Sequence, residues 1–585
     1  MEKRVVLAVV LTVAVIFLTN VLFPPPPAPI GVEPAESDSL VLDTRVDADD
    51  GELPEVSEPS LTVDSSEAVR LPGAAPTIEG DTIVVRSDLY ELRFSTLGAT
   101  LIGARLLEYE SYSTRANGDD RVQLVRPGDR LFGYQVAAGG DTASLGDHLF
   151  TSDRREITLG EQTESDSLRL SYEFPGSAIR FVVVYRFRPD SYLVEVSGRL
   201  EGLGDQGWAV LTSLGNGLPT NEKDSDEDFN QLAIVTNGPA GGIESIQFAK
   251  IAPGEVRTTA GGPFEWVAVK NKYFLVAFMA PEEGPLFGGL IATGGQEEHT
   301  AGTLTSLPVP AGSAGFQFDA YIGPQEYSRL EAVGQDLEGV NPYGWKWLRP
   351  IIRPLVGIVM LVLGWMHETL NLAYGWVLIL FGVLMRVVLF PLYQKSMRAQ
   401  MAQMQVQPLM KELQEKYKDE PQKLQTEMMK LYKEHGVNPL AGCLPMMVPM
   451  PILFTLFFVF QGTIEFRGVP FMWLPDLSLK DPYYIIPLLM GVSMFLLSWI
   501  GQRGMDQNNP QMKMMVYVLP VVFTVMFASF PSGLNLYYTT SNIASLPQQL
   551  YLSKERQAAR SRMATSTPDD GKGKKKSGRS KRGGD

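Results

Sequence analysis

The stretch GWVLILFGVLMRVVLFPLYQKSM, residues 375–397, decides the fold class of this chain. Its apolar part, 375–393, matches the length that crosses a bilayer, about 20 mostly apolar residues. Arg386 interrupts it about nine residues, or about 13 Å of helix, before Lys395 at the expected cytoplasmic end. An arginine at that depth costs on the order of 3 kcal/mol on insertion scales. The stretch therefore predicts a membrane span, and the presence of a charged residue inside it needs an explanation.

More apolar runs follow in the C-terminal part of the chain, so we predict a polytopic α-helical membrane protein. Besides 375–393, the candidate spans are 443–462, 484–500, 514–530 and 534–552, which together make a five-helix core, 373–552. A further stretch, RPIIRPLVGIVMLVLGWMHETLN, has only about a dozen apolar residues between Pro354 and His367. That is short for a span, so we expect residues 341–372 to form an interfacial amphipathic helix.

The N-terminal segment predicts a sixth transmembrane helix. Lys3 and Arg4 precede an apolar run from Val5 to Phe23. A cleaved signal peptide is the alternative, but the run exceeds the usual apolar region of about 7–15 residues and no small-residue cleavage site follows it. We therefore interpret residues 1–23 as an uncleaved anchor. Residues 24–76 are rich in Pro, Glu, Asp and Ser, which predicts a disordered acidic linker.

Alternating apolar and polar residues dominate the region 77–340. Segments such as AIRFVVVYRFRPDSYLVEVSGRL are rich in Val, Tyr and Phe, and clusters of Gly, Asp and Pro separate them. This pattern predicts a large antiparallel β-sandwich domain. His148 and His299 stand far apart in loop-like contexts, so we expect solvated loop histidines there rather than a metal site.

The distribution of charge predicts the topology. The formal net charge is −15, but most acidic residues precede residue 345, whereas the loop 394–442 and the tail 553–585 are basic. Six spans starting from a cytoplasmic N-terminus put both basic segments and the C-terminus in the cytoplasm and residues 24–345 in the periplasm. If the stretch at 350–370 also spanned, the basic tail would face outward, against the positive-inside rule.

Two cytoplasmic segments are candidates for contacts with other molecules. Residues 396–436 predict a helical hairpin, broken before Pro421 and ended by Gly436. Its methionines either pack the two arms together or form an adaptable docking surface. The tail carries eleven Lys or Arg residues after 553, which predicts a disordered arm that binds ribosomal RNA or anionic lipid, or acts only as a topology determinant.

Polar residues in the last spans are candidates for side chains that surround Arg386. Snorkelling or an ion pair could explain this arginine, but the other spans lack a convincing buried Asp or Glu. We therefore expect a hydrated cavity in the cytoplasmic half of the core. The side chains that we expect to line it are Thr524, Ser541, Asn542, Gln548 and Gln549, together with Thr539, Thr540 and Ser545. The alternative for these residues is ordinary hydrogen bonding between helices.

Four segments identify the chain as a member of the YidC/Oxa family of membrane protein insertases. They are MRVVLFPLYQKSM, NPLAGCLPMMVPMPILFTLFF, LKDPYYIIPLLMGVSMF and FTVMFASFPSGLNLYY. The resemblance covers nearly the whole chain, and the long outer domain is similar to that of the Gram-negative type.

The resemblance implies an insertase and chaperone of the bacterial inner membrane, which is not an enzyme, that works alone or with the Sec translocon. It implies that Arg386 is the groove cation and that Tyr538 contacts substrate. It also implies that the client helix slides along Met450, Pro451, Phe523 and Phe527 into lipid. Gly382 departs from the pattern, because some members carry a hydroxyl residue there. Implied partners are nascent membrane proteins, the Sec translocon with its accessory subunits, the ribosome and signal recognition machinery, and the lipid bilayer.

Two other classes of function stay open from the residues alone. A transporter built around Arg386 is one, although the spans show no internal repeat. A sugar-active enzyme is the other, because the family's β-domain resembles a mutarotase-type sandwich, although no acid/base pair is evident. Nothing resembles a nucleotide-binding loop, so we expect no cofactor. The energy of insertion would come from burying the client's apolar helix, about 25 cal/mol per Å².

Overall fold

The structure is a computed structural model. It describes residues 80–113, 120–160, 162–239, 242–259, 262–344, 348–394, 406, 409–410, 412–418, 420–436, 450–501 and 514–565. These residues belong to one compact unit, whereas a second unit, Val13–Glu79, lies outside the described residues. The described residues therefore exclude the predicted anchor, the predicted linker, most of the first arm of the hairpin and the end of the basic tail.

The alternating N-terminal region forms twenty strands in the described residues. In β10, for example, Phe181, Val183, Tyr185 and Phe187 point into the core, and the exposed Arg180 and Arg186 fall on the other face. The strands are β1 Thr82–Arg86, β2 Tyr90–Ser95, β3 Thr100–Glu110, β4 Arg121–Gln123, β5 Tyr134–Ala138, β6 Asp141–Ser144, β7 Thr151–Ser152, β8 Glu156–Thr158, β9 Asp166–Glu173, β10 Arg180–Phe187, β11 Leu193–Glu201, β12 Trp208–Gly215, β13 Ala233–Gly238, β14 Gly242–Gln247, β15 Val256–Thr259, β16 Trp266–Lys270, β17 Phe274–Met279, β18 Gly289–Gly294, β19 Ala301–Val309 and β20 Phe316–Pro324.

Three sheets share one hydrophobic core. Their strand orders are β4-β3-β2-β1-β8, β14-β13-β16-β17-β20-β11-β10-β9-β7 and β15-β18-β19-β12-β5-β6. Strands β16 and β17 are buried along their whole length because they lie inside the largest sheet. The predicted β-rich domain is confirmed, but it is not wholly antiparallel, since β8 pairs with β1 in parallel from Val84–Glu156 to Arg86–Thr158. A parallel partner at a sheet edge comes from a distant segment, and alternation does not reveal its direction.

Helices make up most of the C-terminal region. They are α1 Ser225–Gln231 and α2 Tyr327–Val333 in the β-domain, then α3 Arg349–Leu370, α4 Tyr374–Val388, α5 Pro421–Glu434, α6 Met450–Gly462, α7 Ile485–Gly501, α8 Leu519–Phe527 and α9 Ser532–Thr565. Short 3₁₀ turns occupy Phe248–Lys250, Leu337–Val340 and Ile464–Phe466, and a π-helical turn at Met514–Val518 precedes α8.

The helix α3 is longer than the apolar count had indicated. It runs for 22 residues, of which a stretch of 18 has a mean hydropathy of 1.6, and within the described part of the chain it alone is long and apolar enough to cross a membrane. Helices α4 and α7, and the apolar parts 451–462 and 516–527, are shorter, between 10 and 17 residues. The prediction that this segment is too short for a membrane span was therefore wrong. The interfacial placement of α3 and the total of six spans stay predictions.

Helix α9 is the centre of the helical region. It continues to Thr565, so the prediction of a disordered tail over 553–585 is wrong for residues 553–565. It packs against α4, α6 and α7, while α8 packs against α7, and α3 packs against α6 and α4. A second hydrophobic core, separate from that of the β-domain, fills the space between these helices. Because α9 touches three neighbours, polar residues on its different faces meet different helices.

The described part of the predicted hairpin, 396–436, supports packing between its arms. Pro421 occupies the first turn of α5, and Gly436 has a φ of +61° just after the helix ends. The Tyr432 hydroxyl donates to the Met410 sulfur at 3.1 Å, and Val406 is buried beside Tyr432. Methionine therefore serves, at least at position 410, as filling between the arms.

Candidate functional site

Arg386 lies in the last turn of α4, half-buried and without a carboxylate partner among the described residues. Its guanidinium carbon lies 4.1 Å from the centre of the Tyr393 ring. Its Nε is enclosed and has no hydrogen-bond acceptor. Since a guanidinium offers five N–H donors and no acceptor, this side chain keeps donors available for another group.

The wall facing α4 comes from the middle of α9. The rings of Phe381 and Tyr537 lie 5.8 Å apart. A Cβ built on Gly382 would lie 3.4 Å from the side chain of Thr540, which is an ordinary van der Waals contact, so α4 and α9 lie close together here. Ser541, which lies one turn after Tyr537 on α9, interacts with the Tyr537 hydroxyl, beside Arg386 and Tyr393. Of the polar residues predicted to line the cavity, Ser541 thus lies on the side of Arg386.

Four of the other predicted lining residues face α7 instead. The Thr539 hydroxyl donates to the Ile486 carbonyl at 3.5 Å. The Asn542 side chain donates to the Ser493 hydroxyl at 3.1 Å. A Cβ on Gly491 would come within 1.9 Å of the Thr524 hydroxyl, and one on Gly501 within 2.6 Å of the Gln549 amide, so both side chains lie against glycines of α7. These contacts are the hydrogen bonding and close packing between helices that the sequence left open as an alternative to cavity lining.

Gln548 differs from its neighbours on α9. Both polar atoms of its side-chain amide are enclosed and lack a hydrogen-bond partner. Leaving such a group without a partner costs about 1–3 kcal/mol, so this amide is an unsatisfied donor and acceptor within the described helical region.

Of the residues expected to form the slide, Phe527 lies against Tyr538 and Phe523 lies next to Phe527. This tyrosine donates to the Leu453 carbonyl of α6 at 3.1 Å and stands edge-on to Phe527 of α8, with ring centres 5.4 Å apart. Phe523 and Phe527 lie 5.9 Å apart on α8. Pro451 lies in the first turn of α6, where its carbonyl accepts a hydrogen bond from Thr455 at 2.8 Å. Met450 begins α6, but its side chain lies outside the described residues.

Sequence reasoning missed several residues beside these side chains. Tyr393 stands seven residues after Arg386, a spacing that places both on one helical face, so it could have been found. Ser493 was hidden because only the packing of α7 on α9 makes it a partner. Arg467, in the segment between α6 and α7, pairs with Glu222 across 245 residues of sequence, which no local pattern indicates.

No group of His, Cys, Asp and Glu side chains within the described ranges is arranged to hold a metal ion. His148 stacks on Tyr172 and His299 on Phe229, with ring centres 4.7 Å and 5.1 Å apart. The chemistry available around Arg386 is therefore that of hydrogen bonding, charge attraction and apolar contact.

Comparison with known proteins assigns both regions of the chain. The family model described as "60Kd inner membrane protein" matches residues 365–559, and that described as "YidC periplasmic domain" matches residues 82–358. A protein named membrane protein insertase YidC from Chlorobium limicola is 33% identical over 507 residues, which cover 82% of this chain and 84% of the relative. One of the same name from Geotalea daltonii is 30% identical over 574 residues, 95% of this chain and 99% of the relative.

A solved structure is also similar to this chain. It is described as an active YidC insertase with the first transmembrane domain resolved, and the match covers 81% of this chain and 95% of that one, at 18% identity and a TM-score of 0.32.

Proposed function

The chain belongs to the YidC family of membrane protein insertases, and from that premise we propose that Arg386 receives the negatively charged or polar part of a client. The family acts on membrane proteins in the inner membrane and carries a periplasmic domain, and this chain has both of its regions. Membership sets aside the transporter and the sugar-active enzyme. Insertion, unlike either of these, needs a path for a polar segment and an exit for an apolar one.

The observation that carries the proposal is the incomplete pairing of Arg386. An aromatic face holds its guanidinium carbon at 4.1 Å, and its Nε is enclosed with no acceptor. Attraction between unit charges scales inversely with the dielectric constant, so an anionic group near Arg386 gains more there than in bulk water. The charge thus offsets part of the cost of bringing a client's acidic residues to this depth.

Polar atoms on α9 extend the path that we propose for the client. Ser541 lies beside Tyr537 on the Arg386 side, and Gln548 offers an unpaired amide further along the helix. Thr524, Asn542 and Gln549 have partners or close neighbours on α7, so we propose that they hold α7 and α8 against α9 and contact a client only if these helices separate.

The apolar exit would follow the contact of α6 with α8. Tyr538 bridges these helices through Leu453 and Phe527, and Phe523 lies next along α8. We propose that a client helix passes along this line, with Pro451 and Met450 at the far end of α6. Burial of its apolar surface would contribute about 25 cal/mol per Å² without a nucleotide.

We also propose the topology of six spans, with residues 1–23 as the first, α3 at the interface, and both termini in the cytoplasm. The basic loop 394–442 and the basic tail support this orientation, because positive charge is retained on the cytoplasmic side. Cysteine labelling at position 575 should therefore occur from the cytoplasmic side only. Labelling from the periplasm would overturn the topology.

The partners beyond the client are proposals of the same kind. The hairpin 396–436 and the tail 553–585 would meet the ribosome and the signal recognition machinery, and the core would work alone or beside the Sec translocon. The eleven basic residues of the tail support an interaction with nucleic acid that weakens as salt rises. If the chain without residues 566–585 still co-sediments with ribosomes at low salt as the full chain does, the tail does not bind the ribosome.

The function of Arg386 is tested with twin clients that differ only in whether the translocated segment is acidic or neutral. Arg386→Ala should slow insertion of the acidic twin about tenfold, which corresponds to ~1.4 kcal/mol, and the neutral twin less. Arg386→Lys should retain most activity because a cation remains. Arg169→Ala, which removes an exposed charge on β9, is the matched control.

All variants are compared at equal amounts of insertase in proteoliposomes. Equal slowing of both twins by Arg386→Ala, or no slowing of either, would contradict the electrostatic role.

A further inference from the structure

The segment between α6 and α7, residues 463–481, connects the β-domain to the helices that carry the proposed site. We call it the outer loop. It leaves α6 through the 3₁₀ turn Ile464–Phe466, and its interior residues Leu474, Leu477 and Asp481 are buried. A loop with so many enclosed residues is held by its surroundings rather than free in solvent.

Arg467 attaches the outer loop to the β-domain. Its Nε donates to the Glu222 carboxylate at 2.8 Å, and the two side chains are only 3% and 8% exposed. Its Nη2 also donates to the backbone carbonyls of Glu110 at 2.7 Å and Asn221 at 3.4 Å, and its guanidinium lies 4.4 Å from the Tyr112 ring centre. A buried ion pair offsets the loss of hydration only when further hydrogen bonds complete it, and this one has them.

The neighbouring residue fits the same contact. Gly468 has a φ of +72°, and a Cβ there would come within 2.2 Å of the Tyr112 hydroxyl. A side chain at this position would push the outer loop away from the β-domain. Tyr273 of the β-domain also interacts with Ser478 further along the loop. The attachment is therefore an extended surface around Arg467, not one side chain.

The opposite face of the outer loop holds the outer ends of α4 and α9. The Phe471 ring packs on Gly375, where a Cβ would come within 2.1 Å, and stands edge-on to Trp376 at 5.5 Å. The backbone N–H groups of Ser532 and Gly533 donate to the carbonyls of Leu479 and Leu477 at 2.7 Å and 2.9 Å. These are the first residues of the helices that carry Arg386 and Tyr538.

We propose that Arg467 and Glu222 are positioning residues for insertion: their buried pair fixes the outer loop to the β-domain, and the loop thereby sets the relative position of α4 and α9. The inference rests on the proposed function for what α4 and α9 do. It gives the β-domain a role in the activity of the core, because its surface at Glu110, Tyr112 and Glu222 forms one side of the attachment.

The test uses the full chain in nanodiscs, with hydrogen exchange and client insertion measured on the same samples. Arg467→Met should accelerate exchange of the outer loop and of the first turn of α9 by about tenfold or more, because its attachment is lost. Glu222→Gln, which keeps an acceptor, should give a smaller change, and Arg467→Lys should restore part of the protection. Glu156→Gln, in the exposed pair with Arg86, is the control and should change nothing.

Insertion of the acidic and neutral twin clients should slow by the same factor in Arg467→Met, about fivefold, because the site is loosened rather than discharged. The preference between the twins should stay that of the unaltered chain, since Arg386 is intact. Failure of the function proposed for Arg386 would appear separately: Arg386→Ala would then slow the acidic and the neutral twin equally, or neither of them.

Two results would overturn the inference. If the outer loop exchanges faster in Arg467→Met and Glu222→Gln while both twins insert at the full rate, the contact stabilises the fold without positioning the site. If exchange is unchanged in both variants, the pair does not hold the loop. Samples are compared at matched folded amounts, with the protection of the β10 strand as the internal measure of an intact β-domain.

Discussion

Two arginines with aromatic neighbours have opposite surroundings in this molecule. Arg467, at the junction of the β-domain and the outer loop, lies over Tyr112 at 4.4 Å and has a carboxylate and two carbonyls as acceptors. Arg386, at the end of α4, lies over Tyr393 at 4.1 Å but has no carboxylate partner among the described residues, and its Nε is unpaired. A cation whose donors are used in folding stabilises the fold, whereas one whose donors remain free can bind a client.

Buried charge is handled unevenly in both regions. In the β-domain, Lys272 pairs with Glu227 at 3.3 Å and Asp228 accepts from the Lys272 backbone N–H at 3.1 Å, whereas Asp319 Oδ1 is enclosed without a described partner. In the helical region, polar atoms of Arg386 and Gln548 also lack a described partner. Unsatisfied buried groups cost free energy wherever they occur, so the distinction of Arg386 is that its guanidinium has neither a carboxylate nor a carbonyl acceptor among the described residues.

The comparison is tested most strongly by replacing each arginine with methionine. Arg467→Met leaves the Glu222 carboxylate buried without its partner, so we expect a loss of about 3–5 kcal/mol in the free energy of unfolding. Arg386→Met removes a charge that has no described carboxylate partner, so its effect should be near zero or stabilising. Denaturant unfolding in detergent micelles, followed separately for the two regions, measures both. Equal losses would mean that Arg386 is also paired within the fold.

Sequence patterns revealed Arg386 but not Arg467. Arg386 was visible because a charge interrupts an apolar run, and the strands were visible because their faces alternate. Arg467 stands in a loop, and its meaning depends on Glu222, which tertiary folding alone brings near. The faces of α9 were equally hidden: the sequence shows that Asn542 and Gln549 are polar, but the packing of α7 decides where they point.

The second prediction concerns Glu465, a carboxyl group two residues before Arg467 that has no cation partner among the described residues. Glu465 accepts from the Tyr327 backbone N–H at 3.4 Å with one oxygen, and its other oxygen is enclosed without a partner. Burial raises the pKa of Glu465 to about 7. Because this folded-state pKa exceeds the ordinary value of 4.5, the stability that its protonated form contributes is fully present below pH 4.5 and is lost as pH rises through about 7.

Glu465→Gln should remove this pH dependence. We expect the variant to be more stable than the unaltered chain at pH 8, on the order of 1–2 kcal/mol, and the two to be similar at pH 5. Thermal melting between pH 5 and 8 measures the effect. Burial raises the pKa of Glu222 to about 7 as well, so a residual slope should remain in the variant and be absent from the double variant with Glu222→Gln. A parallel pair of curves for Glu465→Gln and the unaltered chain would contradict the prediction.

The third prediction uses Gln548, another group of the helical region whose polar side-chain atoms have no described partner. Gln548→Leu replaces an unpaired amide by an apolar group of similar size, so it should stabilise the chain by about 1 kcal/mol. The same change should slow clients with strongly polar segments, because a hydrogen-bonding group on the path is lost. Gln549→Leu, whose amide lies against Gly501, is the control and should bring no gain in stability. If Gln548→Leu is destabilising, the amide has a structural partner and the comparison with Arg386 fails at this residue.

The smallest expected effect belongs to Tyr393, the aromatic neighbour of Arg386. A cation over an aromatic face at a partly exposed site gains about 0.5–1 kcal/mol, which is a factor of about two to five in an equilibrium. Tyr393→Phe keeps the ring and should insert both twin clients normally. Tyr393→Leu removes the face that holds the guanidinium, so insertion of the acidic twin should fall by about two- to fivefold while the neutral twin is unaffected.

If Phe and Leu are equally harmful, the tyrosine hydroxyl rather than the ring supports Arg386. If neither has an effect on either twin, the ring contact contributes nothing to its position. Only a selective loss with Leu supports the contrast with Arg467, whose position is fixed by a carboxylate and carbonyls besides its ring.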